Sequence, residues 1–457
     1  MNSCHFLPPN NLRCLLGLML AGVAATSALA EDAYEQAPIH YSDTTPKDAA
    51  QALQKKLASG KLKFDRHSGW SLLKDLMHAL DIPIESQVMV FSKTSKQNSR
   101  ISPETPRVVY FGDNAYVGYC LGGSIEVTTI DPELGPIFYL LDPDTPDDQP
   151  LEFVRDQSCL SCHGGPFSPD VPGILVRSVF PNEEGHPMMG AGSTVVGTTT
   201  PFAERWGGWY VTGQHGEGRH RGNAIAEERE GMWHLDSEPG ANVTDLSDRF
   251  NTKPYPRAQS DIVALMVLEH QSTVQNALTK ASQATRRAMH MQRWLQEELG
   301  EKVDKEPTGT ARRIVDHAAE DVVDALLFLD EAELPEGGIE GDEAFQAAFA
   351  QHAPRTPEGR SLKDFQLLNR LFKYRCSYMI YSLSFLSMPP ELKTAVMSLL
   401  TDALSDAPST DRYAYLSDSE RSRIREILAQ THPDAPAAWK KEVSRAKQAA
   451  LTPSGTP

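Results

Sequence analysis

Cysteine is scarce in this chain, with six residues among 457, at positions 4, 14, 120, 159, 162 and 376. That density rules out a disulfide-built scaffold. Only one pair has the C-x-x-C spacing, so a zinc site assembled from two regular pairs is excluded as well. Basic residues are also short: 44 Lys and Arg face 61 Asp and Glu, for a formal charge of −17. So acidic a surface disfavours nucleic acid, whose binding rests on cations neutralising phosphates. It suits a basic partner or simple solubility. Long apolar runs are missing too. The run from Cys14 to Ala25 and the uncharged stretch from Cys376 to Pro390 both fall short of the ~20 residues that a spanning helix needs. No internal repeat is visible.

The N-terminus carries an export pattern. Arg13 is the only charged residue of the first 30, the apolar run follows it, and Ala28-Leu29-Ala30 forms an A-x-A cleavage signature. No cysteine directly follows that site, so a lipid anchor is not expected. The mature chain is expected to begin at Glu31, and losing Arg13 makes it more acidic still.

The chain is organised around Ser158-Cys-Leu-Ser-Cys-His-Gly-Gly165. Cys159, Cys162 and His163 give the spacing C-x-x-C-H, which reads as an attachment site for haem c. Two thiols at this spacing can each form a thioether to a haem vinyl group, and the adjacent imidazole supplies the proximal nitrogen to the iron. Random placement of this composition would give roughly 0.002 such pentapeptides. A redox dithiol would sit between a strand and a helix in a βαβ unit, and no such unit is apparent. Zinc would need a fourth ligand. Gly164 and Gly165 are expected to let the backbone turn away through conformations other residues avoid.

On these residues the chain resembles the c-type cytochromes, and the stretch Arg205-Trp-Gly-Gly-Trp-Tyr-Val-Thr-Gly213 is similar to those of large secreted mono-haem c proteins of unassigned activity. The resemblance is confined to the attachment motif and nearby loops. It implies one covalent haem c, iron-based redox chemistry and attachment outside the cytoplasmic membrane, hence a periplasmic location. It names no substrate.

Along the chain, residues 31–105 read as linker and short helices, with helical spacing at Ala49–Gly60 and Trp70–Leu80. Residues 106–257 read as a β-rich haem-bearing region. Arg107–Gly112, Tyr116–Thr129 and Pro136–Leu141 are expected as an antiparallel meander, followed by short strands in long Gly-rich loops. Residues 258–450 read as helical, starting at a cap near Ser260-Asp261 and including helices at 310–330, 342–352, 361–388, 391–405 and 417–430. Residues 451–457 form a tail expected to be disordered. The fold class is α+β.

The second axial position of the iron is open at this level. Met188 and Met189 lie in a polar loop near the motif. His215 and His220 share a Gly-rich loop after the Trp-rich stretch. His270 lies on the apolar face of a helix with Val263, Val267, Val274 and Leu278, where a core role is the simpler account. Arg177, Arg205 and Arg219 are candidates for the haem propionates, and Trp206 and Trp209 for a cofactor wall. Cys120 and Cys376 are left as a buried pair of thiols or a disulfide. The function expected is electron transfer with a redox partner protein or small redox-active molecule. A haem oxidoreductase with an open distal site and a haem-based sensor are the alternatives. No catalytic residue is assigned, and no transmembrane segment is expected in the mature chain.

Overall fold

The computed structural model describes residues 32–165, 167–168 and 171–451. The export signal and, beyond its first residue, the expected tail lie outside the described residues. The first elements are two short helices, α1 (Ala49–Ala58) and α2 (Gly69–Ala79). Asp48 starts α1 by accepting the Gln51 amide, and Ser68 starts α2 through a reciprocal capping box with Ser71.

The chain then builds a sheet from β1 (Val88–Val90), β2 (Arg107–Phe111), β3 (Ala115–Tyr119), β4 (Ile125–Asp131), β5 (Gly135–Leu141) and β6 (Val154–Arg155). After a short helical turn, α3 (Leu160–His163), come β7 (Arg177–Val179) and β8 (Ser193–Val195), which form a separate hairpin. Next, β9 (Trp209–Tyr210) returns to the main sheet, and β10 (Ala226–Arg229) and β11 (Met232–Leu235) form a second small hairpin. The seven-stranded sheet runs β6-β5-β4-β3-β2-β1-β9, antiparallel throughout.

Strand alternation divides this sheet between two cores. Met89, Val108, Tyr110 and Val117 pack toward α1 and α2, whereas Val88, Val90, Val109, Phe111 and Tyr116 face the C-terminal helices. Register keeps partners on one side: Met89 lies opposite Val108, and Phe111 opposite Tyr116. Both faces are thus covered, which explains why these strands are nearly continuous in apolar residues.

The second layer is dominated by α4 (Ile262–Glu298), about 55 Å long at 1.5 Å per residue. Asp261 caps it by accepting the Ala264 amide at 2.8 Å. Buried glutamines tie α4 to the sheet. Gln271 donates to the Gly112 carbonyl and the Tyr116 hydroxyl, and Gln283 donates to the Leu134 carbonyl. Around it pack α5 (Gly309–Leu326), α6 (Glu343–Gln351), α7 (Leu383–Leu386), α8 (Pro390–Ala403), α9 (Asp418–Thr431) and α10 (Ala437–Leu451). The architecture is α+β, with the antiparallel sheet in the centre of the sequence and helices in its C-terminal half. Among the described residues no helix is long and apolar enough to cross a membrane.

Three elements depart from the sequence reading. The helix expected at 361–388 is absent: an irregular segment leads to a 3₁₀ turn at Tyr378–Tyr381 and the four-residue α7. Side chains there claim the backbone. Gln366 Oε1 accepts the amides of Leu368, Asn369 and Arg370, and such local bonds compete with helix formation. β1 falls in a region expected to hold only linker and helices, and three residues are too few to show a period. The third is α10, which falls in the region 258–450 read as helical but beyond the last individual helix expected there, at 417–430.

Candidate cofactor site

The C-x-x-C-H residues leave the sheet at its β6 edge. Asp156 ends β6 and organises the turn, accepting from both the amide and the hydroxyl of Ser158 while pairing with Lys96. Residues 157–159 form a 3₁₀ turn that runs into α3. This places Cys159, half-buried, and Cys162, exposed, on one short helical segment as free thiols.

His163 closes that segment. Its ring packs on Phe138 of β5, with centroids 4.5 Å apart. Its Nδ1 lies 2.8 Å from the Gly173 carbonyl, and its own carbonyl accepts the Gly173 amide at 2.8 Å. The next residue, Ile174, is clamped by Asn276 of α4, which accepts from its amide and donates to its carbonyl, each at 2.8 Å. Bonding through Nδ1 fixes the tautomer and leaves Nε2 as the lone-pair nitrogen. Among the described residues Nε2 has no hydrogen-bond partner. Burial holds the imidazole below its ordinary pKa, so it is neutral at neutral pH.

Gly164 and Gly165 do not adopt positive φ, contrary to the role expected of them. They are needed for space: a Cβ on Gly164 would meet the Tyr34 hydroxyl at 2.7 Å, and one on Gly165 the Ser161 carbonyl at 2.9 Å.

Of the three arginines expected at the propionates, Arg177 alone is placed beside the motif. It stacks over Phe167 at 3.8 Å, feels the Cys162 sulfur electrostatically, and has a buried Nε with no partner. Arg205 is sealed in an ion pair with Glu269, 2.6 Å apart, and Arg219 is paired with Glu238 at the surface. Trp206 and Trp209 are core residues. Trp209 Nε1 donates to the Arg177 carbonyl at 2.8 Å and so backs β7 from within, and Trp206 is wholly buried against Glu269.

The axial candidates separate clearly. Met188 and Met189 sit in the loop of the β7–β8 hairpin, the same hairpin that carries Arg177, and Met189 is 77% exposed. Val195 of β8 and Met232 of β11, which packs against the turn at 189–191, are also exposed. His215 and His220 are buried against each other and against Phe202, with Trp206 also on His220. The Asn242 amide donates to His215 Nε2 and the Gly222 amide to His220 Nδ1, each at 3.0 Å. Each neutral ring therefore carries its proton on the other nitrogen and offers no free lone pair. His270 is sealed in the core, stacked on Phe328 at 4.4 Å with Nε2 2.7 Å from the Ser377 hydroxyl. Cys120 and Cys376 are buried free thiols.

A cavity of about 630 Å³ lies elsewhere, between the end of α2, the β2–β3 turn and α6, with Lys363 and Asp113 in its wall. It includes none of the motif residues. Among the described residues no group of three or more His, Cys, Asp or Glu is placed to hold a metal ion on its own. Comparisons with protein-family models, with curated proteins and with solved structures find no match to this chain.

Proposed function

We propose that this chain is a c-type haem protein that transfers electrons outside the cytoplasmic membrane. Cys159 and Cys162 would hold the haem covalently, His163 Nε2 would bind the iron, and Arg177 would face the propionates. The haem would supply the one-electron redox couple; the chain's own part is to attach, orient and screen it. The observation that carries this reading is the His163–Gly173 hydrogen bond. It commits Nδ1 to a carbonyl and so leaves Nε2 as the nitrogen available to a metal, on an imidazole adjoining the two motif thiols.

Two further features support haem over a redox dithiol. Burial, with Asp156 and Glu126 nearby, pushes the Cys159 thiol up to about 11, whereas a dithiol reagent needs a depressed value. Furthermore, α3 is four residues long and offers no sustained helix dipole to stabilise a thiolate. Among the described residues Met188 and Met189 are the best source of a sixth ligand, because they are on the hairpin that carries Arg177 and because His215, His220 and His270 have committed their nitrogens or lie sealed in the core. A thioether there suits electron transfer.

The test is a denaturing gel of the exported protein stained for haem, with absorption spectra of the oxidised, reduced and carbon-monoxide-treated forms. Stained, low-spin protein indifferent to carbon monoxide is expected. A gel without haem would overturn the proposal. Haem that binds carbon monoxide would transfer it to the oxidoreductase or sensor class.

A further inference from the structure

The sequence stretch around Arg205 and the helix position of His270 meet in a place that haem attachment does not use. Arg205, Glu269, His270, Phe328 and Glu331, with Thr198, line a small chamber of about 10 Å³, the room needed by one water molecule. The chamber is built at a cost in backbone strain. Trp206, Phe328 and Asp330 all take positive φ, at 67°, 60° and 56°. Large side chains rarely do so, and such strain gathers where function requires a geometry. Phe328 uses it to lie parallel to the His270 ring, and Trp206 to donate its Nε1 to Glu269.

Its polar groups are not all satisfied. Arg205 serves Glu269 and the Thr198 and Thr200 carbonyls. The Ser377 hydroxyl accepts the Met379 amide and also bonds His270 Nε2, which leaves Nδ1 as the ring's remaining polar atom. That Nδ1 is buried without a partner. Glu331 has only a long contact from the Leu371 amide, at 3.5 Å. The charged groups facing the chamber are Arg205 from the 198–208 loop, Glu269 from α4 and Glu331 from the turn after α5. Arg370 and Arg375, held by Glu420, act on Glu331 from the far side. His270 is held neutral by burial. With both carboxylates ionised, the one arginine inside leaves an excess negative charge in a low-dielectric space, a costly state.

We propose that this chamber is a proton store: a single water bridges His270 Nδ1, Glu269 and Glu331, and the two carboxylates share one proton that is exchanged with solvent through Glu331. Glu331 is the partly exposed member, while Glu269 and His270 are sealed. Resting on the haem reading above, the store answers the iron's charge. Glu269 stands seven residues before Asn276 on α4, about 10 Å along the axis, and Asn276 clamps the loop whose Gly173 holds His163. One electron delivered by the redox partner is balanced by one proton taken from solvent onto the carboxylate pair; oxidation releases both.

The test reads the chamber in two ways, in the full chain. Infrared difference spectra of the native chain minus Glu331→Gln, which leaves the Arg205–Glu269 pair intact and cancels the separate buried acid Asp261, should show a protonated carboxylic acid that titrates near neutral pH. In the haem-loaded protein the reduction potential should fall as pH rises through the same range. Glu331→Gln should flatten that dependence, and Glu331→Asp should restore it. Absence of the titrating acid overturns the store. A titrating acid with a pH-independent potential and a normal haem spectrum overturns its coupling to the iron. Failure of the haem reading would be seen separately, as unstained protein, while the infrared test would still decide the chamber.

Discussion

The carbonyl of Gly173 holds His163 Nδ1 at 2.8 Å, and Asn276 of α4 holds the residue after Gly173 at both its amide and its carbonyl. The imidazole of the attachment motif is thereby fixed to the longest helix of the fold. A Cβ on Gly173 would meet Asn276 Oδ1 at 2.9 Å and press closer still on Ser168. Gly173→Ala is therefore expected to destabilise the fold by about 1–3 kcal/mol and to shift the haem spectrum. Asn276→Ala should cost about 1–2 kcal/mol with a smaller spectral change. Urea unfolding and absorption spectra of both variants check this. An unaltered spectrum in Gly173→Ala would show that the carbonyl does not orient the ring.

Much of this was legible from the residues. The C-x-x-C-H spacing is local, so it can be read without a fold. The meander at 107–141 and the long helix at 262–298 were visible because strong periodicity and a cap coincide there. What stayed hidden depends on distant partners. Nothing near His163 in the sequence announces Asn276, which is more than a hundred residues away. The sequence shows only that His215 and His220 share a Gly-rich loop, yet Phe202 and backbone amides enclose them, with Trp206 also covering His220. Arg205 and Arg177 were indistinguishable as candidates until Glu269 claimed one of them.

The exposed thioether of Met189 leads to a second prediction. If the β7–β8 hairpin supplies the sixth ligand, Met189→Ala or Met188→Ala should convert low-spin haem to a form that binds carbon monoxide. His215→Ala and His220→Ala should leave the ligation unchanged while lowering stability, since each removes a buried ring from the Phe202 cluster. A carbon-monoxide titration of the four variants separates the outcomes. Sensitivity in neither methionine variant would remove the hairpin from the coordination sphere.

Thiol accounting gives a third test. Cys120 and Cys376 are buried, and burial pushes both thiols up, to about 11 and about 12. In native protein lacking haem, an alkylating reagent should modify the exposed Cys162 first, Cys159 more slowly, and the other two only after unfolding. In haem-loaded protein, denaturation should expose Cys120 and Cys376 alone. Mass spectrometry of the alkylated chain reads both patterns. Protection of Cys162 without haem would contradict its position on the surface of α3.

The fourth prediction concerns pH, where two sets of buried groups pull in opposite directions. Burial lowers His220 and His270 from 6.5 to about 3. Their folded values lie below the unfolded ones, so their contribution is complete above pH 6.5 and is lost as pH falls toward 3. Burial raises Glu269 and Glu331 from 4.5, and Asp261 from 3.8, each to about 7. Their contribution is complete at acid pH and is lost as pH rises through the folded value. Between 4.5 and 6.5 the two sets oppose each other, and stability should change slowly. Below 4.5 the glutamates no longer compensate, so the urea midpoint should drop steeply. His220→Phe keeps an aromatic ring beside Phe202 and Trp206 but leaves the Gly222 amide without its acceptor. It should cost about 1 kcal/mol at neutral pH and flatten the acid limb. An acid limb of unchanged slope in this variant would assign the loss to carboxylate ion pairs such as Arg375–Glu420, which protonation breaks in the same range.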